Sequence, residues 1–325
     1  MGEGDVDEGR VVNNTTASAE VAKARLDAAA QYPGLSSDQI EASARLCHRI
    51  TRREARNFYW GLRLTPEPRR SSLYAIYAWM RRADDLADDE PDLARAAAGL
   101  AEMREITLRV VNQEPVPTEG FWPAFAATVN GHPIEPRWLI DMLDGVCEDL
   151  SHQGYETSQG LDRYRYRVGG TVGLCSMAVW GLTHGADSER AAAAADVRGR
   201  AFQMINILRD IAVDAKSSRP RVYVPREVLR RHEISIEQLR GAEEPVRCEA
   251  LVREMIAVAR WELAASATLD DMIAADCRPV LRAMTTIYAE LLSRIESDPV
   301  RSLRCAPVRV PTWRKLAIMW GARGV

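Results

Sequence analysis

Apolar residues recur at spacings of three and four through most of the chain from Ser37 onward, which predicts helices almost everywhere. The first runs from Ser37 through Ala42, Leu46 and Ile50, with Ser37 and Asp38 placed to cap it. Pro66 and Pro68 break the chain before a second helix, Arg70 to about Asp88, in which Leu73, Ile76, Tyr77 and Met80 share a face. Alanine-rich helices are predicted over about 91–113 and 188–213. Between them Pro115, Pro117, Gly131-His132-Pro133 and Pro136 mark loops. Trp138 to Ser151 and Leu161 to Thr183 read as helices, and Gly169-Gly170 and Gly173 in the second signal a kink or close packing. Helices near 226–240, 245–275 and 278–297 complete the pattern. Period-two alternation is scarce, and Arg221-Val222-Tyr223-Val224 is the one strand-like piece. Residues 1–36 read as a flexible tail, because breakers such as Asn13-Asn14 and Pro33-Gly34 accompany little apolar periodicity. The pattern therefore predicts a single all-α domain of roughly ten helices over residues 37–325.

Composition narrows the function classes. The net charge of −3 and the pI near 6.1 argue against a nucleic-acid binder, which is usually strongly basic. Cys47, Cys147, Cys175, Cys248, Cys277 and Cys305 are scattered and form no CxxC pair, so zinc and redox-pair readings are weak and reduced thiols in a cytoplasmic protein are expected. No apolar run approaches the roughly 18 to 20 residues that span a bilayer. Residues 1–31 lack the basic start and apolar core of a signal peptide. The stretch Trp313-Arg314-Lys315-Leu316-Ala317-Ile318-Met319-Trp320 is basic and apolar; it reads either as a packed final helix or as a peripheral membrane contact.

Two acidic stretches carry the candidate chemistry. Asp84-Asp85-Leu86-Ala87-Asp88-Asp89 closes the second helix, and Asp84 and Asp88 fall on one face about 6 Å apart. Two carboxylates that close repel, and the negative end of the helix dipole adds to the repulsion. A compensating cation is expected. Arg81 lies one turn back, and magnesium bridging to a diphosphate serves better, since magnesium uses one or two carboxylates plus phosphate oxygens. Alone, the cluster reads equally well as a solvated helix end. The second stretch breaks the tie. Gln203, Asn206, Asp210 and Asp214 form a stripe along an otherwise apolar helix, with Asn206 and Asp214 about 12 Å apart along its axis. An amide and two carboxylates in that setting are costly unless something binds them. Facing acidic helices, nearby arginines and an apolar interior suit ionisation of a diphosphate and shielding of the resulting carbocation. No serine elbow, Walker loop or HExxH motif competes.

Several motifs in order resemble the squalene/phytoene synthase family, the head-to-head prenyl transferases, over about residues 45–320. Tyr77 to Asp89 is similar to the family's first aspartate motif, and Gln203 to Asp214 to its second, QxxNIxRDxxxD. Arg221-Val222-Tyr223-Val224-Pro225 matches an RxYxP segment, and Tyr164 to Gly173 resembles YxxxVAGTVG. The Ile287 to Leu292 stretch and Trp313-Arg314-Lys315 are also similar. The resemblance implies an isoprenoid-synthase helical bundle with a central cavity. It implies that Asp84, Asp88, Asn206, Asp210 and Asp214 hold magnesium, with manganese as a substitute. Arg81, Gln203, Arg209, Arg221 and Tyr223 would contact diphosphate or order its surroundings, and Tyr77, Tyr164 and Tyr288 would line the site near the reacting carbons. Two prenyl diphosphates would condense through a cyclopropyl diphosphate. Three departures stand out: residues 215–220 look about two residues longer than usual and carry Pro220 in place of Gly, Asn57 substitutes for a customary His or Ser, and a customary basic residue before the last helix is either Arg304 or Arg309.

The second motif, NxxxDxxxD, disfavours chain-elongating synthases, which use two DDxxD motifs. Asp210 at its middle position disfavours terpene cyclases, which carry Ser or Thr there. An inactive isoprenoid-binding scaffold is the alternative from another class, and the intact acids argue against it. The wording of both motifs leans toward farnesyl diphosphate and a C30 product, with geranylgeranyl diphosphate and a C40 product as the alternative. Phe58, Leu62 and Tyr74 are candidates for the cavity floor. NADPH use and oligomeric state have no signature in the chain.

Overall fold

Helices form where the apolar periodicity predicts them, in a computed structural model that describes residues 31–216, 220–304 and 307–322, the side chains of residues 56–58 excepted. The order is α1 (Ser37–Glu54), α2 (Arg56–Leu62), α3 (Arg69–Asp88), α4 (Leu93–Val111), α5 (Trp122–Gly131), α6 (Pro136–Leu150) and α7 (Ser158–Arg165). A π-helical turn (Tyr166–Gly170) leads into α8 (Thr171–Trp180), followed by α9 (Ser188–Asp214), α10 (Arg226–Arg231), α11 (Ile236–Gly241), α12 (Pro245–Ala265), α13 (Leu269–Met272), α14 (Arg278–Ser297), α15 (Arg301–Arg304) and α16 (Thr312–Ala322). Among the described residues there is no strand, only a lone antiparallel bridge between Leu182 and Ile273. The all-α expectation holds.

The differences have local causes. The cap of α1 is Ser36, not Ser37 or Asp38, because Ser36 and Gln39 exchange side-chain-to-backbone hydrogen bonds in a capping box. Helix α5 falls in a stretch read as loop; Pro123 sits at its first turn, where proline is tolerated, rather than breaking it. The predicted 226–240 and 245–275 helices are each split. Arg221–Val224 is extended but pairs with no strand, and Val222, Tyr223 and Val224 are buried against the bundle. Ahead of α1, Tyr32 is buried and its hydroxyl donates to the carbonyl of Glu114 at 2.8 Å. Residues 1–30, most of the predicted tail, lie outside the described residues.

Two long helices organise the bundle. Helix α3 buries Leu73, Ile76, Trp79, Met80 and Ala83 against α1, α4, α5 and α6. Trp79 is fully buried, stacks on Phe125 with centroids 4.9 Å apart, and donates from its indole nitrogen to Thr107 at 3.0 Å. Helix α9 starts at Asp187, whose carboxylate caps the first turn, and packs on α8, α12, α14 and the π-turn. The glycines flagged in the sequence do both things expected of them. They lie at a π-turn, and they let two backbones touch: a Cβ on Gly169 would stand 2.7 Å from the carbonyl oxygen of Gly199, and one on Gly173 would strike the carbonyl of Ala195. Arg165, 1 % exposed, locks the same crossing by bonding Glu262 of α12 at 2.7 Å, Asp162, and the Arg200 carbonyl of α9 at 3.2 Å.

This crossing predicts a position-specific cost. Gly173→Ala should lower unfolding stability by about 1 to 3 kcal/mol through backbone overpacking. Gly321→Ala, where a Cβ would meet nothing within 4 Å, should not. Denaturant unfolding of both variants checks it; equal stability would mean the two helices separate at no cost.

Candidate active site

The end of α3 and the last two turns of α9 converge on a cavity of 780 Å³. From α3 it is lined by Tyr77, Met80 and Asp84, and from α9 by Ala195, Arg198, Gly199, Phe202, Gln203, Asn206, Arg209 and Asp210. Val168, Gly169, Val172, Gly173, Ser176 and Trp180 line it from the π-turn and α8, and Leu281, Met284 and Tyr288 from α14. The segment leading into α16 closes one side with Arg309, Val310, Pro311, Thr312 and Lys315. Asp84, Gln203, Asn206, Arg209 and Asp210 give the lining its polar part, Arg198 and Ser176 add polar groups near Ala195, and most of the rest is apolar.

Of the acids, Asp84 and Asp210 line the cavity, while Asp88 on α3, Asp149 on α6 and Asp214 on α9 stand within electrostatic reach without lining it. Burial first, and Asp88 second, push the Asp84 carboxyl up to about 7. Burial, then Asp210, push Asp214 up to about 7. Each of these shifts also contains a contribution from Asp149 on α6, a residue that the motifs did not single out. Asp149 is raised to about 6, by burial first, and accepts hydrogen bonds from the hydroxyls of Tyr164 (2.9 Å) and Tyr223 (3.0 Å). The Tyr164 and Tyr223 rings stack with centroids 5.1 Å apart. Burial, first of all, raises both phenols, so they stay neutral donors. They stand behind Asp149 and are not among the residues lining the 780 Å³ cavity. Tyr77 and Tyr288 do line it. Tyr288 stacks on Phe202 at 4.1 Å and hydrogen-bonds the Asn206 side chain.

The arginines distribute differently from the simplest sequence expectation. Arg81 bonds Asp85 at 2.5 Å and reaches Asp89 at 3.7 Å rather than pairing with Asp84, because Asp85 and Asp89 share its face of α3. Arg209 holds Asp210 through both guanidinium edges, with Nε 2.9 Å from Oδ1. Arg221 crosses the cleft. Its backbone N–H donates to the Asp214 carbonyl at 2.9 Å and its guanidinium bonds Asp88 at 2.8 Å, so it ties the α9 wall to the α3 wall. This pins both ends of the longer loop, of which residues 217–219 lie outside the described residues.

Of the two candidates for the basic residue before the last helix, Arg309 lines the cavity, while Arg304 donates to the Ala242 carbonyl at 3.3 Å. Lys315, 9 % exposed, joins Arg309 there; its pKa is lowered by burial first and then by Arg309 and Arg209. Lys315 thus lies within electrostatic reach of Arg309 and of the Arg209 that holds Asp210. Glu54 and Trp60 are further lining residues that the motifs missed. Leu62 and Tyr74 are buried but are not among the lining residues, so neither is a floor residue. The side chains of Asn57 and Phe58 lie outside the described residues.

The donor set fits a hard cation. The Asn206 amide nitrogen is 3.4 Å from Gln203 Oε1, while its buried Oδ1 has no hydrogen-bond partner, and Asn206 lines the cavity. Among the described residues no three His, Cys, Asp or Glu side chains converge tightly enough to hold an ion unaided.

An all-α bundle around an acid-mouthed apolar cavity is the isoprenoid-synthase architecture. The chain belongs to the squalene/phytoene synthase family, whose sequence model matches residues 51–314. It is 33 % identical over 282 residues to the 15-cis-phytoene synthase of Synechococcus elongatus, covering 83 % of this chain and 89 % of that one. It is 32 % identical over 303 residues to the phytoene synthase of Arthrospira platensis, covering 87 % and 92 %. Its fold is similar to that of a dehydrosqualene synthase solved with a ligand, with TM-score 0.78, 27 % identity and coverage of 88 % and 97 %. A squalene synthase from Alicyclobacillus acidocaldarius shares the fold at TM-score 0.70 and 21 % identity, covering 82 % and 96 %. The chain is thus a prenyl-transferring enzyme, as its motifs implied.

The carboxyl shifts give a pH prediction with a definite sign. Asp84 and Asp214 hold their protons to about 7 when folded, above the ordinary carboxyl value that the unfolded chain adopts. Unfolding therefore releases protons between about pH 4 and 7, and stability falls as pH rises through that window. Metal-free protein should unfold at lower denaturant at about pH 8 than at about pH 5, and Asp84→Asn should flatten the difference. An unchanged slope in the variant would show that Asp84 is not the strained group.

Proposed function

We propose that this enzyme condenses two molecules of geranylgeranyl diphosphate head to head, through a cyclopropyl diphosphate, to a C40 hydrocarbon. The similarity to phytoene synthases is the observation that carries the substrate choice, and the depth of the cavity is compatible with it. Asp210 at the polar end and Ala195 at the far end both line the cavity. Fifteen residues of α9 separate them, about 22 Å at 1.5 Å per residue. A prenyl chain extends about 5 Å per isoprene unit at ordinary carbon–carbon lengths, so a C20 chain reaches about 20 Å and a C15 chain about 15 Å. The two relatives described above, both phytoene synthases, support the same choice. The motif wording leans toward the C15 substrate, and the relatives favour the alternative instead.

Roles follow from position. Asp84, Asp88, Asn206, Asp210 and Asp214 are the proposed magnesium ligands. Magnesium, when bound, neutralises the diphosphate and makes it a leaving group. Arg309, Lys315 and Arg209 solvate the diphosphate oxygens from the cationic side. Gln203 positions the Asn206 amide, and Tyr288 holds its nitrogen so that Oδ1 stays turned outward. Arg221 spans the walls and orders Asp88 and Asp214. Tyr164 and Tyr223 position Asp149. The apolar walls exclude water from the allylic cation, and the faces of Tyr77, Phe202 and Tyr288 stabilise it.

Purified protein with magnesium is expected to turn geranylgeranyl diphosphate into a C40 product, with or without NADPH, and to use farnesyl diphosphate poorly. Preference for farnesyl diphosphate would overturn the substrate assignment, and no diphosphate release from either would overturn the enzyme reading. Asp84→Asn and Asp210→Asn should each abolish turnover, about a thousandfold loss or more for a charge-stabilising group, while still folding cooperatively. A variant keeping near-full activity removes that residue from the proposed metal set.

A further inference from the structure

The last helix carries an apolar stripe that the fold leaves uncovered. On α16, Lys315 and Met319 are buried, and Lys315 reaches the cavity. Trp313, Leu316 and Trp320 stand on the opposite side at i, i+3 and i+7, within about 60° of arc. They are 68 %, 48 % and 83 % exposed. Charge accompanies the stripe. On α16 itself Arg314 is exposed, reaching Glu290 of α14 at 3.7 Å, and Arg301 on α15 is exposed, while Arg304 turns to the Ala242 carbonyl and Arg309 and Lys315 line the cavity. Helix α2 packs beside α16 and adds Arg63, exposed, whose guanidinium lies 5.9 Å from the Trp60 ring. Trp60, Pro311 and Thr312 line the same cavity, so stripe, basic residues and cavity rim adjoin one another.

We propose that α16 docks this rim onto an anionic lipid surface, with Trp313, Leu316 and Trp320 at the level of the headgroups and the arginines against their phosphates. Tryptophan favours that interface, and a short helix with an apolar stripe and a basic flank binds in its plane. The stripe is too small for a protein partner, which usually covers about 800 Å² per side. The exposed arginines match an anionic surface. A C40 product leaving beside α16 would enter lipid without crossing water; that last argument rests on the function proposed above.

The test is vesicle sedimentation of the full chain, which needs no turnover, so that its failure leaves the proposed activity standing. Vesicles are phosphatidylcholine alone or mixed with phosphatidylglycerol. The parent should partition into the mixed vesicles and poorly into the neutral ones. W313S/W320S should lose about tenfold of that partition while keeping its melting temperature and its turnover in detergent. W261S, which removes an exposed tryptophan on α12 amid mixed charges, should partition as the parent does. Parent-like partition of W313S/W320S, or an equal loss in W261S, overturns the proposal. So does a W313S/W320S variant that changes only from dimer to monomer, since the stripe would then join two copies of the chain.

Discussion

Carboxylate crowding at one end of the cavity is the constraint to which the surrounding structure answers. Asp84 and Asp88 come from α3, Asp149 from α6, and Asp210 and Asp214 from α9. The electrostatic reach of Asp88 and Asp149 extends to acids on both walls. Like charges at that spacing, partly removed from water, disfavour the compact state unless protons or cations compensate. Protons do so in part, as the raised Asp84, Asp149 and Asp214 show. Arg221 does the rest: bonded to Asp88 and anchored on the Asp214 carbonyl, it keeps two repelling walls together. The RxYxP segment is therefore structural and electrostatic at once. Two residues on, Tyr223 delivers a hydrogen bond to Asp149.

Helix α9 ties this end to the apolar depth. One face descends from Asp210 through Asn206 and Gln203 to Phe202, Gly199 and Ala195, so ligand-type oxygens and hydrocarbon wall lie on one rigid rod. Small residues at its far end do two jobs. They leave volume for a long chain, and they admit the backbone of the π-turn and α8. That crossing also sets the directions of adjacent side chains: Tyr164 turns to Asp149 at the mouth, and Arg165 turns to Glu262 in the core. A buried arginine bonded to Glu262, Asp162 and a carbonyl fixes rotation about the helix axis in a way apolar packing does not.

Much of this was legible in the sequence because helices advertise themselves through apolar spacing, and because Asn206, Asp210 and Asp214 violate that spacing in an otherwise apolar helix. Asp149 was not legible. Cys147-Glu148-Asp149 closes an amphipathic helix and reads as an ordinary acidic end; its partners Tyr164 and Tyr223 lie 15 and 74 residues away, and only the fold brings them together. Lys315 was hidden for a similar reason. On a helix with exposed tryptophans it looks like a surface lysine, and only the packing of α16 on α14 and α2 turns it inward. Substrate chain length is poorly legible in the motifs because their wording samples the mouth, which C15 and C20 substrates share, whereas the apolar lining reaches Ala195, some four turns below it.

The separation of charge across the mouth explains why the site suits a metal–diphosphate pair better than either component. On the proposed reading, a diphosphate alone would meet Arg209, Arg309 and Lys315 on one side and five carboxylates on the other. A cation alone would find no tight three-acid cage among the described residues. Together each supplies what the other lacks: phosphate oxygens complete the shell of the ion, and the ion screens the phosphate from Asp84, Asp88 and Asp214. The two ligands should therefore bind cooperatively, each raising the affinity for the other by the same factor. On that reading the pair would favour the deprotonated form of acids that burial otherwise keeps protonated to about pH 7.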